Sequence, residues 1–179
     1  MQTGTDRRVI TIEEELAKSR RAFDAELDAA PTDRLLRAPS GEWTPAQIVW
    51  HVAKVERAIA RLIERLDAAI APMETVPPGP RPDSITGMLD KHNVLDRSRK
   101  LVAAAELTPP PKVDFEAERA RLIDGRAQLT AAIRKAGPRL SLMRYEHRFF
   151  GMLDGWQWAL FPARHEERHL LQLREVIRR

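Results

Sequence analysis

The chain reads as an all-α protein, a four-helix bundle in one domain over 1–179. Three observations predict it. Four long stretches carry apolar residues at the three- and four-residue steps of one helix face. Three of them open on a capping residue followed three positions later by Glu or Gln. No stretch shows the sustained alternation of a strand. At 179 residues, 43% of them apolar, the chain is long enough for one sizeable core.

The first helix is expected to open at Thr11, with Glu14 closing a capping box. Ile12, Leu16, Phe23 and Leu27 form its apolar stripe, and Pro31 marks its end. The second has the clearest start: in "WTPAQIVWH", Thr44 is the N-cap, Pro45 the first helical residue and Gln47 the third. Trp43 precedes the cap, placed to pack back on the first turns. The stripe Ile48, Val52, Val55, Ile59, Leu62, Leu66 carries this helix to about Ile70. "APMETVPPGPRPDS" is too rich in proline to be helical, and 84–111 predicts one short helix and an extended run. So long a connection implies a crossover between helices two and three rather than a tight hairpin. The third helix, about 115–136, carries Phe115, Leu122, Leu129 and Ile133 and stops at Gly137-Pro138. A connection follows, partly extended. The fourth helix starts at Asp154, with Gln157 at its third position, and runs to the C-terminus. Pro162 lies inside it and predicts a kink or a broken hydrogen bond just before His165.

The chain has no cysteine, which excludes disulfides, thiolate metal ligands and a cysteine nucleophile. That suits a reducing cytoplasm. No run approaches the roughly 18 apolar residues of a membrane span, and "MQTGTDRRVITIEEELAKSR" lacks the apolar centre of a signal peptide. The expected location is cytoplasmic, with no membrane partner. A net charge of +4 raises the question of nucleic acid. Its basic residues, however, alternate with acidic ones, as in "EAERARLIDGR", the pattern of a solvated, salt-bridged face. The expected partner is a small-molecule substrate. Trp50, on the far side of the second helix, suits a homodimer contact.

The last helix contains "HEERH", residues 165–169, the H-E-x-x-H pattern of zinc proteases. His165 and His169 share a helix face, so both imidazoles can reach one metal ion. A zinc protease finds a third ligand downstream, but only "LLQLREVIRR" remains, with no glycine turn to bring Glu175 back. The third ligand must come from upstream. His51 is the best candidate, because it sits at the edge of the second helix's core stripe. His165 and His169 share their face with Trp158, Phe161, Gln172 and Val176, which also reads as core-facing. Three histidines on inward faces of two helices can meet inside a bundle and bind a divalent metal with a position left open. The competing reading is three ordinary, partly buried histidines. Glu166 stands where a zinc protease keeps its general base and is the candidate catalytic residue, against the alternative of a solvent-facing helix glutamate. Gln172, near His169 on the helix, is placed to orient a ligand imidazole. His147 reads as a turn or packing residue; His92 receives no role. Trp43, Trp156 and Trp158 read as packing residues or as the lining of a ligand slot.

Two segments, "GEWTPAQIVWHVAKVE" (41–56) and "EHRFFGMLDGWQWALFPARHEERHLLQL" (146–173), together resemble the DinB/YfiT-like superfamily of metal-binding four-helix bundles. The first is similar to that family's W-S/T-P segment and ligand histidine, the second to its H-x-x-x-G-x-L, W and H-x-x-x-H ending. The resemblance implies an up-down-down-up bundle, often dimeric. It implies zinc or nickel held by His51, His165 and His169. It also implies either an enzyme that uses a low-molecular-weight thiol such as bacillithiol, mycothiol or glutathione, or a metal-dependent hydrolase. Pro162 departs from an uninterrupted ligand helix.

An open metal position has two uses: lowering the pKa of a thiol cosubstrate for attack on an electrophile, or activating water. The expected function is thiol S-transfer or related thiol-dependent chemistry. A hydrolase, or a bundle that binds metal or ligand without catalysis, is the alternative. Arg164 and Arg168 flank the histidines and either hold a carboxylate of the thiol or are surface arginines.

Overall fold

The computed structural model describes residues 6–72, 74–98 and 100–179. The first five residues of the stretch expected to lack a signal peptide lie outside them, as does Met73 of the proline-rich segment. Four helices make the bundle: α1 (Arg7–Ala29), α2 (Pro45–Ala69), α3 (Phe115–Ala136) and α4 (Gly155–Arg178). Among the described residues no helix is long and apolar enough to cross a membrane.

α1 starts a turn earlier than expected. Asp6 is its cap, accepting from the Arg8 N–H at 2.9 Å. Thr11 lies within the helix and bonds back to the Arg7 carbonyl, so the capping box expected there does not form. The boxes at Thr44/Gln47 and Asp154/Gln157 do form. In both, the glutamine has a second use. Its oxygen accepts from the cap's N–H, and its amide donates to the crossover: Gln47 to the Pro110 carbonyl at 2.9 Å, Gln157 to Met88 at 3.1 Å. A glutamate could close the box but has no hydrogen to give the second partner. α4 runs unbroken through Pro162.

Ion pairs give the directions of the helices. Glu15–Arg164 and Glu26–Arg174 ascend together, so α1 and α4 run parallel. Glu56–Arg126 and Asp67–Arg139 make α2 and α3 parallel, the second pair joining α2 to the continuation of α3. Asp28–Arg119 and Glu13–Arg134 set α3 against α1. The order is up-down-down-up. Parallel α2 and α3 oblige the chain to travel back along the bundle, which explains the long connection between them. It is built from three 3-10 turns, Pro82–Ser84, Asp90–His92 and Ala105–Leu107, rather than the short helix expected. Ile85, Leu89 and Val94 from it are buried in the core.

α3 ends at Gly137, whose φ of +48° suits glycine, and continues as a 3-10 helix to Leu142. A hairpin follows, β1 (Arg144–His147) with β2 (Gly151–Asp154), pairing Tyr145 with Leu153 and closing at Gly151, φ +72°. The sequence offers only four residues per strand, too few for alternation to stand out. The fold is a bundle with this small addition.

The core has two apolar compartments. One holds Val9, Ile12 and Leu16 of α1 with Ile59, Leu129 and Leu160; the other holds Phe23 and Leu27 with Val52, Leu122 and Leu173. Between them lies a charged layer with one residue from each helix. Arg20 of α1 bonds Glu166 of α4 at 2.6 Å and Glu56 of α2 at 3.0 Å. Arg126 of α3 bonds the same two carboxylates at 2.9 and 2.5 Å. Ser19 donates to Glu166 at 2.6 Å, and the guanidiniums reach the Leu16 and Leu122 carbonyls. Arg126 closes the "EAERARLIDGR" stretch expected to face solvent. It turns inward because Glu56, fully buried on the stripe of α2, needs a cation beside it.

Candidate metal centre

α2 and α4 run antiparallel and bring His51 against His165 and His169. The three Nε2 atoms converge: His165 Nε2 lies 3.2 Å from His51 Nε2 and 3.1 Å from His169 Nε2. Four-coordinate zinc with about 2.1 Å bonds separates its ligands by roughly 3.4 Å, so the spacing is close to that of a ligand set. Two outer bonds fix the ring orientations. His51 Nδ1 donates to the Leu107 carbonyl at 2.7 Å, and His169 Nδ1 to Gln172 Oε1 at 2.8 Å. Both Nε2 atoms therefore present lone pairs inward. His165 Nε2, facing both, can give a hydrogen to only one of them. A cation at the centre satisfies all three, so the residues fit a divalent metal. His165 Nδ1 is buried without a hydrogen-bond partner.

Electrostatics keep these rings neutral and ready to ligate. Burial pushes the His51 imidazole below its usual range, against the upward pull of the Leu107 carbonyl. Burial, then repulsion from the neighbouring imidazoles, pushes His165 well down; His169 follows for the same reasons, opposed by Gln172. His147 is pushed down to about 4, first by burial and then by His92 and Arg148. An unfolded histidine titrates near 6.5. Below that pH the unfolded chain binds protons that the folded one refuses, so the contribution present above about pH 6.5 drains away as pH falls toward the depressed values. Metal-free protein is expected to show a lower urea midpoint at pH 5 than at pH 7.5. An unchanged midpoint would contradict these burials.

Trp43 stands over the cluster, its ring 4.9 Å from His51 and 6.4 Å, stacked, from His169. Of the three tryptophans it lines the site most directly. Trp156 is core, donating to Ser141 Oγ at 2.9 Å, while Trp158 is buried in the wall of the cavity and donates to the Tyr145 carbonyl at 3.0 Å. The cluster opens on a cavity of about 1050 Å³. His147, at the end of β1, lines it with Phe149, Phe150 and Phe161 and accepts from the Phe149 N–H at 3.2 Å. This is the turn role expected of it, joined to a place at the cavity.

The remaining candidates separate. Glu166 is fully buried, but in the charged layer, with Arg20, Arg126 and Ser19 on its oxygens. It does not face solvent, and both of its oxygens are engaged by the charged layer rather than by the histidine cluster. Arg164 pairs with Glu15 and Glu167 and bonds the Thr86 carbonyl. Arg168 lines the cavity and bonds the Val94 and Asp96 carbonyls. Gln172 takes the place expected of it. Because such outer hydrogen bonds hold a ligand's tautomer, Gln172→Ala is expected to weaken zinc binding about 10–100-fold with the fold intact, read by chelator competition. The Leu107 carbonyl carried no signal, since a backbone oxygen in a proline-rich crossover is invisible as a type. Glu56 did carry one: a glutamate three residues before Ile59 sits on the apolar face.

Three imidazoles converge between two helices of a four-helix bundle, a donor set of the kind that bundles use to hold a metal ion. The chain belongs to the DinB superfamily, whose family model matches residues 15–173. It is similar to the uncharacterized protein YuaE of Bacillus subtilis (strain 168), 28% identical over 155 residues that cover 84% of this chain and 88% of YuaE. It is also similar to TT2238, whose crystal structure is described as that of a four-helix bundle protein. The TM-score is 0.60 at 28% identity, covering 91% of this chain and 94% of TT2238.

Proposed function

We propose that the protein is a divalent-metal-dependent enzyme that transfers a low-molecular-weight thiol to an electrophile, with His51, His165 and His169 as metal ligands. The observation that carries this is the convergence of three Nε2 lone pairs at one end of a large cavity. A bound metal supplies the Lewis acidity that brings a thiol's pKa toward neutrality. The chain has no cysteine, so the sulfur comes from outside. Leu107 and Gln172 orient the ligand rings, and Trp43 shields one side of the cluster from water. Thiol chemistry is favoured over hydrolysis because a free thiol is much the stronger acid, so the same metal leaves more of it ionised near neutrality, and neither Glu166 nor His147 is placed to help deprotonate a metal-bound water. Glu166 is engaged elsewhere, and His147 holds its proton only below about 4.

The test is a thermal-shift panel of bacillithiol, mycothiol and glutathione with metal-loaded and metal-stripped protein. One thiol is expected to raise the melting temperature only in the loaded form. A flat response to all three, alongside turnover in an ester and amide panel, would replace thiol transfer by hydrolysis.

A further inference from the structure

α2 forms one long wall of the cavity. His51, Val55, Ala58, Leu62 and Arg65 follow one another at three- and four-residue steps. At about 1.5 Å per residue, the arginine end lies roughly 20 Å from the histidine end. Near the histidines the other wall is aromatic. The Phe161 ring is 5.5 Å from His165 and 4.9 Å from His147, and Phe150 stacks on His147 at 4.6 Å. The rim is cationic: seven Arg and Lys residues line the cavity against four Glu. Two of those glutamates already hold arginines, Glu42 with Arg179 at 2.8 Å and Glu175 with Arg97 at 2.5 Å. Arg61, Arg65, Lys100 and Arg148 have no carboxylate partner among the described residues. Arg65 lies over the Tyr145 ring at 5.2 Å and Arg148 over Phe149 at 4.8 Å. Stacking holds a guanidinium in place while leaving its N–H groups for a ligand.

We propose that the cavity takes an aromatic anion as the acceptor substrate. Its ring system sits against Phe149, Phe150 and Phe161, and its carboxylate or sulfonate is held by Arg65 and Arg148, with Arg61 alongside. An apolar concavity rimmed by unpaired cations selects this combination, since the rim concentrates positive potential and the rings supply stacking area. The assignment rests on the reading of this cavity as the reaction chamber, but its test needs no turnover.

Full-length protein, metal-stripped and zinc-loaded, is titrated with two fluorescent probes of the same ring body: anilinonaphthalene sulfonate and the neutral phenylnaphthylamine. The sulfonate is expected to bind one site per chain at least about tenfold more tightly in both forms of the protein, the discrimination of charge-assisted hydrogen bonds. The double variant Arg65→Gln/Arg148→Gln is expected to erase that preference and leave the neutral probe unchanged. Phe149→Ala is expected to weaken both probes alike, with circular dichroism unaltered. Equal binding of the two probes, or a preference that survives the double variant, overturns the proposal. Because the probes carry no thiol, this result stands or falls separately from the thiol panel.

Discussion

Glu166→Ala is expected to destabilise the protein by about 3–5 kcal/mol, the cost of breaking a buried ion pair from one side. Two guanidiniums and two carboxylates balance in the charged layer. Removing one carboxylate leaves Arg20 and Arg126 facing Glu56 alone, and Ser19 with only the Leu16 carbonyl at 3.1 Å to accept its hydrogen. Against a typical total of about 5–15 kcal/mol, that loss is large. Urea unfolding followed by circular dichroism measures it. Replacing all four charged residues together, with Met for the arginines and Leu for the glutamates, is expected to cost less than the single change, because no charge is then stranded. If Glu166→Ala instead unfolds at the wild-type midpoint and loses only activity, the side chain belongs to the chemistry and the layer does not hold the bundle.

His51→Ala is expected to abolish stoichiometric metal binding, a loss beyond the roughly 10–100-fold expected of Gln172→Ala, which removes only a hydrogen-bond partner of His169. It removes the ligand contributed by α2 and leaves a helical pair. Metal binding also stabilises: at a free concentration near 1,000 times the dissociation constant, the gain is about 4 kcal/mol. Zinc should therefore raise the melting temperature of the wild-type protein and leave that of His51→Ala where it was. The same zinc-dependent rise in the variant would remove His51 from the site.

Helix positions and the histidine cluster were legible because each rests on a local period. Apolar residues three and four apart mark a face, and His165 and His169 share one for the same reason. His51 was found from the stripe of α2, a local signal pointing at a distant partner. What remained hidden depends on tertiary placement. Arg20 and Arg126 look like surface arginines until Glu56 and Glu166 are seen between the helices. The cap of α1 moved to Asp6 because an aspartate one turn upstream competes with a threonine that can satisfy its hydroxyl within the helix. The Leu107 carbonyl and the short hairpin have no side-chain signature. The general-base role that H-E-x-x-H suggests for Glu166 belongs to another fold, where the residue between two ligands faces the substrate; here that residue faces Arg20 and Arg126.

"HEERH" has a mechanical consequence. Each helical residue advances the direction of its side chain by about 100°. Glu166 therefore points roughly a quarter-turn from the shared face of His165 and His169. One side of the pentapeptide is pinned to α2 by the imidazole cluster, the other to α1 and α3 by the arginines. Two anchors at different azimuths fix the roll of α4 about its own axis as well as its height. A helix held on one side alone can swivel. This one cannot turn its histidines away from α2 without tearing charges from the core, so the bundle itself holds the three imidazoles together.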